Sequence, residues 1–410
     1  MSLPKLAYFV DRSNAGEVID KQWWHEGEEV LYTCAREPLA SNYAAFPEEK
    51  RTSDKDLLLT RNGTPYVHLP TSGAIYSNVV QRITLAAGNS RRYFLYALQI
   101  SADEMRGYGV SIESLNYDMW ANRRFAVPRL PDQERIANFL DEQTARIDAL
   151  IAEKERLLET LDEHRYAHLS RVMTIGLDAS AALIQTSFPE LRSIPRHWTV
   201  KRLKFLGEVR SGIAKGKDHG ERDTVMLPYL RVANVQDGYV DLTDVQEIEV
   251  GSREVDRYLL RAGDVLMNEG GDNDKLGRGT VWEGQIAPCV HQNHVFAVRL
   301  RNAELGEWVA RFTSTDAART YFFLRSKQST NLASINQSNV RELPIPMPPE
   351  EERRDILTEV RRSEEATASL LAHTREHIDR LREYRSSLIS AAINGQLNID
   401  AFEARPLEAA

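Results

Sequence analysis

The chain has 410 residues, of which 42% are hydrophobic and 27% charged, and its formal net charge is −8. That length accommodates two ordinary domains with extra elements and buries a core without difficulty. No apolar run approaches the roughly 20 residues of a bilayer-crossing helix, and the amino end lacks a basic lead into a short greasy stretch, so a cytoplasmic protein with no membrane partner is expected. The two cysteines, Cys34 and Cys289, are too far apart in sequence for a zinc site or a secreted disulfide scaffold and are expected in the core.

In chain order, residues 1–127 form a first globular unit with β-like runs at 56–60, 65–69 and 79–85. Residues 128–178 follow as a helical segment. Positions 132–172 contain neither Gly nor Pro, and apolar residues recur at helical spacing at Ile136, Leu140, Ile147, Leu150/Ile151, Leu157/Leu158, Leu161, Leu169 and Val172. Thr174-Ile175-Gly176 reads as its C-terminal cap. As a helix these 41 residues would reach about 60 Å. A second unit, 179–345, carries β-like runs at 225–232, 239–250, 263–267, 279–283 and 294–300, with Gly238, Gly263 and Gly271 between them as turn formers. Residues 346–396 form a second helical segment with Ile356, Val360, Leu370/Leu371, Ile378, Leu381, Leu388 and Ile393 on its stripe, closed by Asn394-Gly395 and followed by a tail, 397–410.

The chain repeats itself. An offset of 220 residues maps Pro128 to Pro348, Ile136 to Ile356, Leu150 to Leu370, Leu161 to Leu381, Arg165 to Arg385, Ser170 to Ser390 and Leu177 to Leu397. Upstream the offset drifts: Ser114-Leu115-Asn116 matches Ser334-Ile335-Asn336 at 220, Asn78-Val79-Val80 matches Asn293-His294-Val295 at 215, and Asp56-Leu57-Leu58 matches Asp264-Val265-Leu266 at 208. Changing offsets between matched strands mean insertions in the connecting loops. A long helix with one apolar stripe must bury it, and the obvious partner is its own repeat, in antiparallel orientation. The expected fold is therefore α+β: two β-rich globular domains separated by two long antiparallel helices in a coiled coil, with a pseudo-twofold internal repeat.

Charge is unevenly spread, at −1 for residues 1–127, −4 for 128–178, +1 for 179–345 and −4 for 346–410. The acidity lies in the helical segments, so a DNA-binding face would be a local patch. The loops carry polar and basic residues suited to it. Arg and Lys pair with guanine, Asn and Gln with adenine, and Gly lets backbone approach phosphate. The candidates are Arg61, Asn62, Thr64, Asn78 and Asn116 in the first unit, and Lys215, Lys217, Arg231, Asn234, Asn268, Lys275, Arg278, Asn336 and Gln337 in the second. Gly212–Asp218 imitates a phosphate loop, but its glycine spacing is one residue short and Asp replaces Ser or Thr. Asp272-Asn273-Asp274 imitates a calcium loop without its Gly and distal Glu in place. No adenine-methylase, zincin or helicase motif occurs, and no catalytic or metal-binding residue is assigned. His291 and His294 are expected on strands or in a core.

The stretch LPDQERIANFLDEQTARIDALIAEKERLLE, the segment Ile194-Pro195-Arg196-His197-Trp198, EGGDNDKLGRG at 269–279 and SINQSNVRELPIPMPPEEE at 334–352 together resemble the specificity subunits of type I restriction-modification enzymes, over about three quarters of the chain. The first unit departs from the family in lacking the Pro-x-x-Trp opening and the EGGDxDKLGRG loop. The resemblance implies a non-catalytic subunit binding double-stranded DNA, with each domain reading one half of a bipartite asymmetric target. The helices, through Ile136, Leu150, Leu157, Leu161, Ile356, Leu370, Leu381 and Leu388, would fix the spacer between the halves. It further implies two modification subunits that methylate adenine after flipping it, and restriction subunits. S-adenosylmethionine, ATP and Mg would reside in those partners and no cofactor in this chain.

Overall fold

The computed structural model describes residues 3–107, 115–216, 223–271, 276–328 and 333–402. Seven strands open the chain: β1 (Val10–Ala15), β2 (Trp24–Tyr32), β3 (Leu39–Ser41), β4 (Asp56–Thr60), β5 (Val67–His68), β6 (Ile75–Tyr76) and β7 (Val80–Leu85). Helices α1 (Arg91–Gly107), α2 (Tyr117–Ala121) and the long α3 (Leu130–Ile175) come next. The second half holds β8 (Leu183–Gln185), β9 (Ser193–Pro195), β10 (Thr199–Arg202), α4 (Leu203–Leu206), β11 (Gly207–Ser211), β12 (Thr224–Leu230), β13 (Gln246–Gly251) and α5 (Val255–Tyr258). It continues with β14 (Val265–Asn268), β15 (Gly270–Gly271), β16 (Gly279–Val281), β17 (Val290–His291), β18 (Val295–Leu300), α6 (Gly306–Thr313) and α7 (Asp316–Arg325). Strands β19 (Lys327–Gln328) and β20 (Ala333–Ser334), helix α8 (Gln337–Arg341), strand β21 (Pro344–Met347) and the long α9 (Glu350–Ile393) complete it. The fold is α+β.

Two compact units divide the chain, Met1–Arg156 with His373–Ala410, and Leu157–Ala372. Each therefore takes half of α3 and half of α9. In the first unit Arg135 pairs with Asp400, Asp148 with Arg385 and Lys154 with His377, so one number falls as the other rises and the helix halves run antiparallel. Leu140 and Ile147 of α3 are sealed in one core with Leu381, Leu388, Ile389 and Ile393 of α9 and with Leu57, Phe94 and Trp120 of the sheet and its helices. The second unit does the same with Leu169, Val172 and Met173 against Ile356, Leu357 and Val360, packed on Trp198, Trp308 and Phe322. Each fully buried Leu or Ile contributes about 1.5–3 kcal/mol, which is why these helices hold in place despite their charged remainder.

Both helices stop where glycine permits a left-handed residue. Gly176 (φ +83°) donates its N–H to the Val172 carbonyl at 3.1 Å. Gly395 (φ +67°) donates to Ala392 and Gln396 to Ala391, the paired bonds of a Schellman cap. The stripe is shifted by one residue from the expected one at two positions. Leu157 and Leu370 are 41% and 46% exposed, whereas the neighbouring Leu371 is 8% exposed. A step of one residue turns a helix by about 100°, so only one member of an adjacent Leu pair can face the core.

The duplication extends to strand order and register. In the first unit the four-stranded sheet runs β1-β7-β4-β5 and a second sheet β3-β2-β6; in the second unit the orders are β11-β18-β14-β16 and β13-β12-β17. The second sheet is of mixed direction in both, with β2 parallel to β6 and β12 parallel to β17. Leu58 faces Arg82 across β4 and β7, and Leu266 faces Ala297 across β14 and β18. Those partners are separated by the same 208 and 215 residues as the sequence matches. The run expected at 239–250 is a strand only from Gln246, because Asp241 and Thr243 close a side-chain turn. Gly271 lies in β15, not in a turn. Cys289 is buried as expected, but Cys34 is exposed, a correction to the core placement. Among the described residues no helix is long and apolar enough to cross a membrane.

Candidate nucleic-acid interface

The end of β4 organises the candidate residues of the first unit. Thr60 ties the loop that follows, its hydroxyl donating to the Thr64 carbonyl at 3.1 Å and accepting the Tyr66 N–H at 2.9 Å, while Gly63 (φ +73°) makes the turn. Arg61 is a backbone node: its N–H donates to Val79 O at 2.8 Å, and its carbonyl accepts Leu115 N–H at 2.6 Å. Its guanidinium donates to Asn78 O at 3.2 Å. Arg61, Asn78 and Asn116 are thereby brought to one end of the sheet, beside the exposed Asn62 and Thr64. Asn116 is the N-cap of α2, its side-chain oxygen accepting Met119 N–H at 3.1 Å.

The second unit repeats this node with other side chains. Glu269 donates its N–H to His294 O at 2.9 Å and accepts Ile335 N–H at 2.8 Å, and Asn336 caps α8 by accepting Asn339 N–H at 2.8 Å. A glutamate thus stands where the first unit has Arg61, and its carboxylate meets His294 Nδ1 at 2.6 Å. His291 is buried and structural, with Nδ1 donating to Val295 O at 2.6 Å; burial pushes its pKa down to about 4.

Around this node the structure gathers Arg231, Asn234, Asn268 and Arg278. Asn234 is buried and fully engaged, accepting Arg231 N–H at 2.9 Å and donating to Asp241 O and Asp244 O. Asn268 is buried too, donating to Val235 O at 2.9 Å. These two build the loop frame and are not presented at the surface, a correction to their assignment as exposed readers. Arg231 donates to Asp244, holding that carboxyl below its ordinary value, and Arg278 donates to Gln236 Oε1 at 3.0 Å. The loop after β14 is pinched at its base, with Asn268 N–H on Arg278 O and Gly277 N–H on Asn268 O, both 3.1 Å. Gly277 (φ +67°) is required there, since a Cβ would lie 2.2 Å from the Phe322 ring. Lys215 is exposed in a turn, and Gln337 donates to Val209 O. Lys217 and Lys275 lie outside the described residues.

The candidate list lacked the Gln236–Tyr239 turn, which presents Tyr239 at 61% exposure and supplies the partner of Arg278. Its Asp237-Gly238 pair, a turn-forming dipeptide, was the available signal. Among the described residues no cluster of His, Cys, Asp or Glu is arranged as metal ligands.

No family model matches the chain. Over 277 residues it is 24% identical to the type I restriction enzyme EcoKI specificity subunit of Escherichia coli K12, covering 66% of this chain and 57% of that protein. The chain is a relative of the type I specificity subunits. A second relative, the EcoBI specificity subunit of Escherichia coli, is 23% identical over 323 residues, 75% of this chain and 66% of its own length. The chain is thus matched to just over half the length of the EcoKI subunit. Its fold is shared with a solved chain from work on complex assembly and conformational transition of the type I R-M system, at a TM-score of 0.66 and 16% identity, over 97% of this chain and 100% of the other.

Proposed function

We propose that this chain is the DNA-reading specificity subunit of a type I restriction-modification enzyme and performs no chemistry of its own. The observation that carries the reading is the duplicated frame: the same strand orders and the same backbone node occur in both units, with Arg61 at the node in one and Glu269 in the other. Two equivalent scaffolds bearing different side chains suit the reading of two different half-sites, whereas a symmetric binder would carry the same residues twice. On this reading residues 1–127 and 179–345 are the recognition domains, 128–178 and 346–396 the helical spacer and 397–410 a tail. Arg61, Asn62, Thr64 and Asn78 serve the first half-site, and Lys215, Arg231 and Arg278 the second. Asn116, Asn234, Asn268, Asn336 and Gln337 shape the loops that present them.

The helical segments fix the distance between the half-sites and dock two modification subunits, which bring S-adenosylmethionine and methylate adenine. Restriction subunits bring ATP and Mg to the same complex, in the cytoplasm. The test is to express the chain with its modification subunits and map methylated adenines. A split, asymmetric motif is expected, and exchanging residues 197–343 for those of a relative is expected to change one half alone. A change in both halves, or an undivided motif, would sink the reading.

A further inference from the structure

The Gln236–Tyr239 turn is held from two sides. On one side it meets the candidate reading loop: Gln236 accepts from Arg278 at 3.0 Å, and Gly238 N–H donates to Gly279 O at 3.4 Å. Gln236 Nε2 donates to Ala233 O at 2.7 Å, which fixes the amide so that its oxygen faces the arginine. On the other side Asp237 meets the second unit's half of α3. Tyr166 of that helix donates its hydroxyl to Asp237 Oδ2 at 3.3 Å, Ser314 donates to Oδ1, and Arg319 lies 3.9 Å from Oδ2. The Tyr166 ring is itself held between two guanidinium groups, Arg165 at 4.4 Å and Arg319 at 4.3 Å from its centroid. Ser170, one turn further along α3, accepts the Asp316 N–H at 2.9 Å and anchors the start of α7.

A chain of direct contacts therefore runs from α3 through Tyr166 and Asp237 to Gln236 and Arg278. Among the described residues the first unit shows no such chain at the matching place. The residue 220 positions after Tyr166 is Ser386, and it lines an open cleft of about 760 Å³ together with Arg382, Arg385, Thr64 and Tyr66.

We propose that Asp237 is a positioning residue through which helix α3 sets the place of Arg278, and so sharpens base discrimination in the second half-site only. The proposal rests on the function given above. Its test uses the complete methylating complex, with wild type, Asp237→Asn, Tyr166→Phe and, as the matched control, Ser386→Ala. The readout is the ratio of adenine methylation at perfect sites to that at sites with one wrong base, taken separately for each half. The halves are assigned by the 197–343 exchange.

For Asp237→Asn the second-half ratio is expected to fall about fivefold, the lower end of what one well-placed Arg–guanine contact supplies. Tyr166→Phe, which keeps the ring between its cations, is expected to lower it about twofold. The first-half ratio stays constant in both, and Ser386→Ala alters neither. Assembled variants with an unchanged second-half ratio, or with both halves loosened alike, overturn the proposal. If Asp237→Asn does not assemble, Tyr166→Phe decides it by the same criteria. A wild-type motif that is not split removes the underlying reading and this inference with it, whereas a split motif with unchanged variants removes this inference alone.

Discussion

Moderate acid is expected to weaken both units through one buried histidine in each. His68 is 4% exposed on β5, between the rings of Tyr32 and Tyr66 at 5.2 and 4.7 Å, and burial pushes its pKa from 6.5 down to about 4. His291 is 1% exposed and is pushed down to about 4 for the same reason. Above pH 6.5 both are neutral whether the chain is folded or not, so they add no pH dependence there. Below it the unfolded chain takes up protons that the folded chain refuses, and stability falls until the folded pKa is reached. At about 1.4 kcal/mol per pH unit, each histidine costs its unit about 2 kcal/mol by about pH 5 and about 3 kcal/mol at the limit. Carboxylates also titrate in this range, so the comparison is with His68→Asn and His291→Asn. Chemical denaturation at about pH 7 and pH 5 should show the double variant losing about 4 kcal/mol less than wild type. A difference below about 1 kcal/mol would mean that the rings are hydrated in the folded state and that the burial argument is wrong.

Other outcomes follow from single positions. Gly277→Ala drives a methyl into the Phe322 ring at a left-handed residue. It should destabilise the second unit by about 2 kcal/mol or more and lower DNA affinity, as read by melting and by filter binding. Leu371→Ala should cost about 2–4 kcal/mol and Leu370→Ala under about 1 kcal/mol; equal costs in denaturation would place the buried stripe elsewhere. Arg61→Ala should weaken binding by about 1–3 kcal/mol and relax the first half-site, and a uniform loss over all sequences with a shallower salt slope would mark a phosphate contact instead.

The long helices, their caps and the repeat were legible because helical periodicity and a fixed offset survive changes of side chain. The equivalence of β4 with β14 and of β7 with β18 was legible for the same reason, since the offsets of 208 and 215 hold through both pairs of strands; their pairing was not, because β4 is buried on both faces and shows no alternation to set a register. Strand β2 was not, because its stretch 25–28 is polar and exposed and shows no alternation. Helix α1 was missed although its core face carries Tyr93, Phe94, Ala97 and Leu98. At the interface, residue type suggested contact chemistry but could not separate a reader from a cap. Asn116 and Asn336 close helix ends, and Asn234 is consumed by backbone carbonyls, roles set by partners distant in sequence or by loop geometry.

The first unit is interrupted: its core needs Leu381, Leu388, Ile389 and Ile393, which follow the whole of the second unit in the chain. A ribosome moving at about 5–20 residues per second completes Leu157–Ala372 before it supplies them. The earlier-made unit must therefore wait, its helix stripe uncovered for roughly 10–45 seconds, while the later-made one closes first. Nascent-chain folding should run opposite to the order of synthesis, leaving the amino-terminal unit the one in need of chaperone protection.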